Sequence, residues 1–261
     1  MRALAVVLLI LWLPVVDSLR ECGVRNAECG VAEHGSIPLA RPSARGLADT
    51  FRTPHSALRI RSSTLTIGRL HYDGGGDWYA GPSALPNLLT ALRQRTALPV
   101  AERERVVTLT GPELWDVPYV FMTGHGNVHF SDDEVQRLRR WLEQGGFLHA
   151  DDDYGMDKSF RREIARVFPD HPLVEVPLSH PIYHLVYEFP KGIPKIHEHD
   201  GLPAQGFGIF LGDRLVVYYS YQTDLGDGWE DPDVHHDPPE LHEAALRMGV
   251  NLFTYAVSAT R

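Results

Sequence analysis

Three short stretches end in residues that can do chemistry. Gly68-Arg69-Leu70-His71 runs into Tyr72-Asp73-Gly74-Gly75-Gly76-Asp77-Trp78. Tyr119-Val120-Phe121-Met122-Thr123 breaks at Gly124-His125-Gly126-Asn127-Val128-His129. Phe147-Leu148-His149-Ala150 stops at Asp151-Asp152-Asp153. Imidazole and carboxylate together suit zinc, manganese or iron, and an open coordination position on such an ion activates water. The expected metal ligands are His71, His125, His129 and His149, with Asp152 as the expected general base. The same loops offer a ligand-binding edge of Asp73, Trp78, His125, Asp151 and Asp152. The alternative is structural: the aspartates cap the helix that follows, and the histidines hydrogen-bond locally.

Two further groups sit later in the chain. In His197-Glu198-His199-Asp200 the two histidines share one side of an extended backbone, the spacing of a ligand pair, but the favoured reading is a plain polar loop before Gly201-Leu202-Pro203. The segment from Gln222 to Pro239 holds Asp224, Asp227, Trp229, Glu230, His235 and His236, and His235-His236-Asp237 reads as a solvated turn. Trp78 and Trp229 lie among Gly and Asp, which points away from core packing and toward an aromatic cleft for a sugar or peptide.

Familiar signatures are missing. There is no G-x-x-x-x-G-K-[ST] to cradle phosphates and no G-x-S-x-G elbow, and the only cysteines, Cys22 and Cys29, precede the expected domain. A formal net charge of −9 argues against nucleic acid as a partner. Histidine is concentrated: of 14 in the chain, 12 fall between His71 and His242, inside the region where the chemistry gathers.

The elements that must position these residues follow from periodicity. Leu85, Leu88, Leu89 and Leu92 make a helical stripe, and Pro82 and Pro86 suit its entry. Ser131 and Glu134 have capping-box spacing ahead of Val135, Leu138 and Leu142, and Gly145-Gly146 ends that helix. A helix capped by Asp157 turns Phe160, Ile164, Val167 and Phe168 inward. Short strands are expected at Thr64–His71 and Arg105–Leu109, and extended segments at Leu173–Val176 and Ile182–Tyr187. Gly206–Leu211 and Arg214–Tyr221 form a hairpin across Gly212-Asp213, and a last helix runs from Glu240. Alternating strands and helices predict an α/β domain over residues 64–257: a flavodoxin-like or class I glutamine amidotransferase-like parallel sheet flanked by helices, with an appended β-hairpin region. In such sheets ligands collect beyond the carboxyl ends of the strands, where all three loops open.

Residues 1–18 have the layout of a signal peptide or N-terminal anchor: Arg2, then an apolar run from Ala3 to Val16. Residues 19–63 are rich in Arg, Ala, Gly, Ser and Pro without period, the composition of a poorly ordered leader. Export to a periplasmic or extracellular location is expected, with anchoring through the N-terminal segment as the alternative.

Gly68-Arg69-Leu70-His71-Tyr72 with Gly74-Gly75-Gly76-Asp77-Trp78, Thr123-Gly124-His125-Gly126, and Gly145-Gly146-Phe147-Leu148-His149-Ala150-Asp151-Asp152 together resemble the bacterial family called domain of unknown function 4159. The resemblance covers about Thr64 to Val257. It implies an exported or membrane-attached protein and implies no particular activity or established cofactor. More loosely, the central unit resembles the class I glutamine amidotransferase-like fold and its trehalose-utilisation branch. The nucleophilic cysteine expected in the turn after the second strand is replaced here by Asp151-Asp152-Asp153, so amidotransferase activity does not carry over. Three functions follow: a ligand-binding module of the cell envelope, a metal-assisted hydrolase using zinc or manganese, or an assembly partner in an envelope complex.

Overall fold

The computed structural model describes residues 64–259. They lie within one compact unit, Thr53–Arg261. The signal or anchor expected over residues 1–18, the leader over 19–63, and both cysteines lie outside the described residues. Among the described residues no helix is long and apolar enough to cross a membrane.

A single seven-stranded sheet organises the fold. Its strands are β1 (Ile67–Leu70), β2 (Arg105–Val107), β3 (Tyr119–Met122), β4 (Phe147–Asp151), β5 (Val174–Glu175), β6 (Gln205–Leu211) and β7 (Arg214–Tyr221). They stand in the order β2-β1-β3-β4-β7-β6-β5. The first five positions are parallel throughout, and β6 and β5 add an antiparallel edge. The hairpin is therefore not an appendage. Its second strand pairs with β4, Leu148 opposite Val217 and Asp151 opposite Ser220, and continues the parallel sheet.

Helices cover both faces. α1 (Ala84–Arg95) and the long α5 (Pro239–Ser258) enclose one core with Ile67, Tyr119, Phe121 and Phe147. α2 (Asp132–Glu143) and α3 (Asp157–Val167) enclose the other with Leu70, Val120, Met122 and Leu148. Successive strand residues face opposite sides, so a strand buried on both faces must be apolar at every position, as Tyr119–Met122 is. Each large side chain so buried stabilises the fold by about 1.5–3 kcal/mol.

The start of α2 follows the expected chemistry. Ser131 Oγ accepts the Glu134 amide, and Glu134 Oε2 accepts the Ser131 amide at 2.8 Å. α3 differs by one position: Met156 holds the cap and Asp157 is the first helical residue. The Met156 amide donates instead to Asp152 Oδ1 at 3.2 Å.

Ile182–Tyr187 is not extended. Pro181–Tyr183 is a single 3-10 turn, with the Ile182 amide donating to His180 Nδ1. Asn251 of α5 then takes the place of a neighbouring strand. Its Oδ1 accepts the Val186 and Tyr187 amides, and its Nδ2 donates to the Ile182 and Tyr187 carbonyls. One buried side chain satisfies the backbone groups a ladder would have served.

The segment 222–239 contains a 3-10 turn at Asp227–Trp229 and a short helix, α4, at Pro232–His235. Trp229, expected in a cleft, is fully buried. Its Nε1 donates to Ala245 O at 2.8 Å and its ring packs on Phe121. The polar neighbours that suggested exposure form a cover whose inner face this indole anchors.

Candidate metal centre at the carboxyl edge

All five parallel strands end on one side, and the loops after β1, β3, β4 and β7, with the segment leading into β6, build the site. Near β1 and β3 two loops are zipped together: the His129 amide donates to Asp73 O at 2.8 Å and the Gly76 amide to Asn127 O at 3.1 Å. Gly74 has φ +122 there, and a Cβ would lie 2.7 Å from Asn127 O, so no other residue fits the crossing. This zipper holds Asp77 against His125. Asp77 Oδ1 accepts the His125 amide, and Oδ2 lies 3.1 Å from His125 Nδ1. Burial acts to raise the Asp77 pKa, but the His125 bonds outweigh it and keep the carboxyl below its usual range. The His125 ring is 58% exposed and comes within 3.6 Å of Asp153. It thus links this half of the edge to the next.

Three successive aspartates after β4 have three different surroundings. Asp151 is closed into the protein: Ser220 Oγ and the Leu225 amide donate to Oδ1, and the Gly226 amide donates to Oδ2 at 2.6 Å. Burial pushes its pKa up to about 7 against those donors. Asp151 therefore ties the loop after β7 to the end of β4. Asp152, buried, accepts the Met156 amide, and burial raises its pKa too. Asp153 faces other acids. Burial, then Asp227, Asp151 and Asp224, push its pKa up to about 9.

The loop after β7 enters with two non-glycine residues at positive φ, Gln222 (59°) and Asp224 (52°). That conformation costs energy, and here it turns Asp224 inward to 1% exposure. Asp224 Oδ2 accepts from His199 Nε2 and, at 3.1 Å, from His197 Nδ1. Asp224 Oδ1 has no partner at all, nor do Gln222 Oε1 and Thr223 Oγ1 beside it. Asp227, three residues on, receives His197 Nδ1 at 3.4 Å and His235 Nε2 at 3.6 Å, both on Oδ2. Burial works to raise the Asp227 pKa, yet its bond from His197 and the charge of His235 hold it low. Of the two acids, Asp153 is pushed up by burial and its acidic neighbours while Asp227 is held down by its histidines. His197 is driven up to about 10 by its hydrogen bonds to Asp224 and Asp227, and its other nitrogen, Nε2, lies 3.2 Å from Asp237 Oδ1. His235 also meets Glu230 Oε2 at 2.9 Å.

Two sets of potential ligands result. One atom each from His197, Asp227 and His235 lie within 4.8 Å of one another, as do one each from Asp153, Asp224 and Asp227.

The four histidines expected as ligands are not brought together. His149 is fully buried, with Nδ1 2.8 Å from Tyr119 Oη and Nε2 2.7 Å from Ser220 Oγ, and burial drives its pKa down to about 3. It has no nitrogen left for an ion. His71 stacks on Trp78 at 4.3 Å, and exposed His129 lies in the zipper opposite Asp73. Of that group only His125 reaches the acidic cluster. Conversely, His197 and His199, at the spacing of a ligand pair, both turn onto Asp224, and His235 and Asp237 flank His197 rather than forming a free turn. The signal that could have found them is His197-x-His199 combined with Asp224-x-x-Asp227 and His235.

A family described as "domain of unknown function (DUF4159)" matches residues 66–257, well over half of the chain. The chain belongs to the DUF4159 family. The matched span of this DUF4159 domain begins at the start of β1 and ends inside α5, so it takes in every loop of the site. No curated protein matches the chain.

Proposed function

We propose that this DUF4159 domain is a metal-dependent hydrolase centre, and that divalent metal, zinc or manganese, binds among Asp153, Asp224, Asp227, His197 and His235. The observation that carries the reading is Asp224 Oδ1: a carboxylate oxygen on a 1%-exposed residue, without a donor, in a group with two more carboxylates. An unpartnered buried acceptor of this kind costs several kcal/mol unless a cation meets it. Without metal, the protons of Asp153 and His197 are held more tightly than on a free acid or imidazole, by burial among acids and by hydrogen bonds to Asp224 and Asp227 respectively. Metal binding would release them. Asp237 behind His197 Nε2 supplies the outer carboxylate that commonly orients a ligating imidazole, leaving Nδ1 for the ion.

The metal would supply an activated water. His125, held by Asp77 and exposed beside Asp153, is placed to move a proton between that water and a leaving group. Asp152, with Oδ1 committed to the Met156 amide, serves α3 in this reading rather than the reaction. An aromatic rim supports a sugar or peptide as the ligand: Trp78 on His71, exposed Tyr79, and Tyr154 stacked on His199 at 4.5 Å. The parallel order β2-β1-β3-β4-β7 supports a flavodoxin- or amidotransferase-like fold, whose ligands bind where the strand order reverses between β1 and β3, beside Asp77 and His125.

An exported, periplasmic or extracellular location is part of the proposal and rests on the sequence of residues 1–18. Envelope partners would use the exposed Leu178, Leu185 and Val186.

The test is metal content by mass spectrometry, with hydrolysis of peptide and glycoside panels, for the wild type, Asp224→Asn and His125→Ala. The expected result is bound metal in the wild type, loss of metal and activity in Asp224→Asn, and metal without activity in His125→Ala. A wild-type protein that takes up neither zinc nor manganese would end the hydrolase reading and favour a metal-free binding module.

A further inference from the structure

The two ligand sets share one residue, Asp227, and differ in every other. One has two imidazoles and a carboxylate; the other has three carboxylates. No set contains both His235 and Asp153, so the side chains as arranged do not converge on one ion. Neighbouring ligand atoms on an ion with bonds of about 2.1 Å are separated by roughly 3.0–3.4 Å. Within the first set, the contact of His197 Nδ1 with Asp227 Oδ2 at 3.4 Å is of that size.

We propose that the site holds two ions bridged by Asp227, one on His197, His235 and Asp227, the other on Asp153, Asp224 and Asp227. The imidazole position suits zinc; the all-oxygen position suits manganese, magnesium or calcium. A bridging carboxylate is a natural joint for such a pair, since its two oxygens can serve different ions. Asp227 Oδ2 faces both imidazoles. Three carboxylates against two divalent ions leave one positive charge, which a bound hydroxide balances. That is the composition of a two-metal hydrolytic centre, in which the ions stand about 3.5–4 Å apart and hold the attacking and leaving oxygens.

The unpartnered Asp224 Oδ1 is the independent mark of the second position. Asp224 Oδ2 already serves His197 and His199, so Oδ1 is the oxygen left for an ion. His197 stands between the two positions, with Nδ1 near both Asp224 and Asp227. A proper fit therefore requires His197 to swing toward Asp227 when the imidazole position fills, which leaves Asp224 Oδ2 to His199 alone and Oδ1 to the second ion.

This inference rests on the metal-centre reading above, and stoichiometry separates the two. The full chain is stripped with chelator, dialysed against zinc with manganese, and its bound metal counted by mass spectrometry; circular dichroism checks each variant's fold. Two equivalents are expected in the wild type. His235→Ala and Asp153→Asn should each keep one, zinc being lost preferentially from the first and manganese from the second. Asp227→Asn should weaken both positions at least 10-fold. In a sample loaded with manganese alone, spin coupling between two manganese ions in the wild type, replaced by an isolated-ion spectrum in His235→Ala, gives a readout independent of counting. One equivalent in the wild type, or Asp227→Asn losing only one of two, overturns the bridged pair and leaves a mononuclear centre. No metal in the wild type overturns both readings.

Discussion

The two halves of the carboxyl edge carry the same residue types and treat them differently. Beside β1 and β3, Asp77 has donors from one exposed histidine and its carboxyl is held low. Beside β4 and β7, Asp153 and Asp224 are buried; Asp153 is surrounded by other acids, and Asp224 keeps one oxygen with no donor. An acid near a surface histidine needs nothing more. Acids buried together need protons or a cation. The contrast lies in burial and in the donors supplied, and on it rests the proposal of an ion in the second half and proton transfer in the first.

The sharpest way to break the comparison is to remove the tie between the halves of the acidic cluster. Asp151→Ala strands the buried Leu225 and Gly226 amides, each costing about 1–3 kcal/mol, while the Ser220 hydroxyl keeps Ala150 O and His149 Nε2 as partners. Urea unfolding should show a loss of about 3 kcal/mol or more. A loss below about 1 kcal/mol would mean the loop after β7 is held by something other than Asp151.

Metal is expected to act next most strongly. At a free concentration 100 times the dissociation constant, one ion stabilises the fold by about 2.7 kcal/mol. Thermal unfolding should therefore shift upward with zinc or manganese and return with chelator. Asp224→Asn should abolish the shift, whereas Asp77→Asn should retain it.

Acidity sharpens the comparison further. The folded pKa of Asp153 lies near 9 and that of Asp151 near 7, both above the ordinary 3.8. Such groups favour the fold fully below about pH 4, and that contribution is lost as pH rises through 7 and then 9. His149 works the other way: lowered from 6.5 to about 3, it favours the fold above pH 6.5, and the benefit is lost as pH falls toward 3. The metal-free wild type should therefore lose stability between pH 6.5 and 9 relative to Asp153→Asn. Added metal should close the gap. Parallel curves for the two proteins would mean that Asp153 is ionised like a surface acid.

The smallest effects belong to the exposed half. His129→Ala and His125→Ala should change unfolding free energy by no more than about 0.5 kcal/mol, since neither ring is buried. For His125→Ala, metal content should stay at the wild-type value while hydrolysis falls about 100-fold or more. Loss of metal in that variant would move His125 from proton transfer into the ligand set.

Much of the scaffold was legible from short-range pattern. The stripe Leu85, Leu88, Leu89 and Leu92, the Ser131–Glu134 box and the doubly buried run Tyr119–Met122 each specify an element from residues close in sequence. Misreadings arose where a distant side chain intervened. Asn251 turned Ile182–Tyr187 from an extended segment into turns, and the Ala245 carbonyl drew Trp229 into the core. No local period records either contact.

The candidate site divides the same way. Local sequence determined that His125 and Asp151–Asp153 would stand at the ends of β3 and β4, because strand and helix lengths are set by nearby residues. Only the tertiary structure decided which histidines reach the acids. Pairing β7 beside β4 brings Asp224 and Asp227 next to Asp153 across about 70 residues, and the same pairing closes His149 between Tyr119 and Ser220. Whether a histidine at a strand end faces an ion or fills the core depends on which strand becomes its neighbour, and that choice is made by the burial of both sheet faces together.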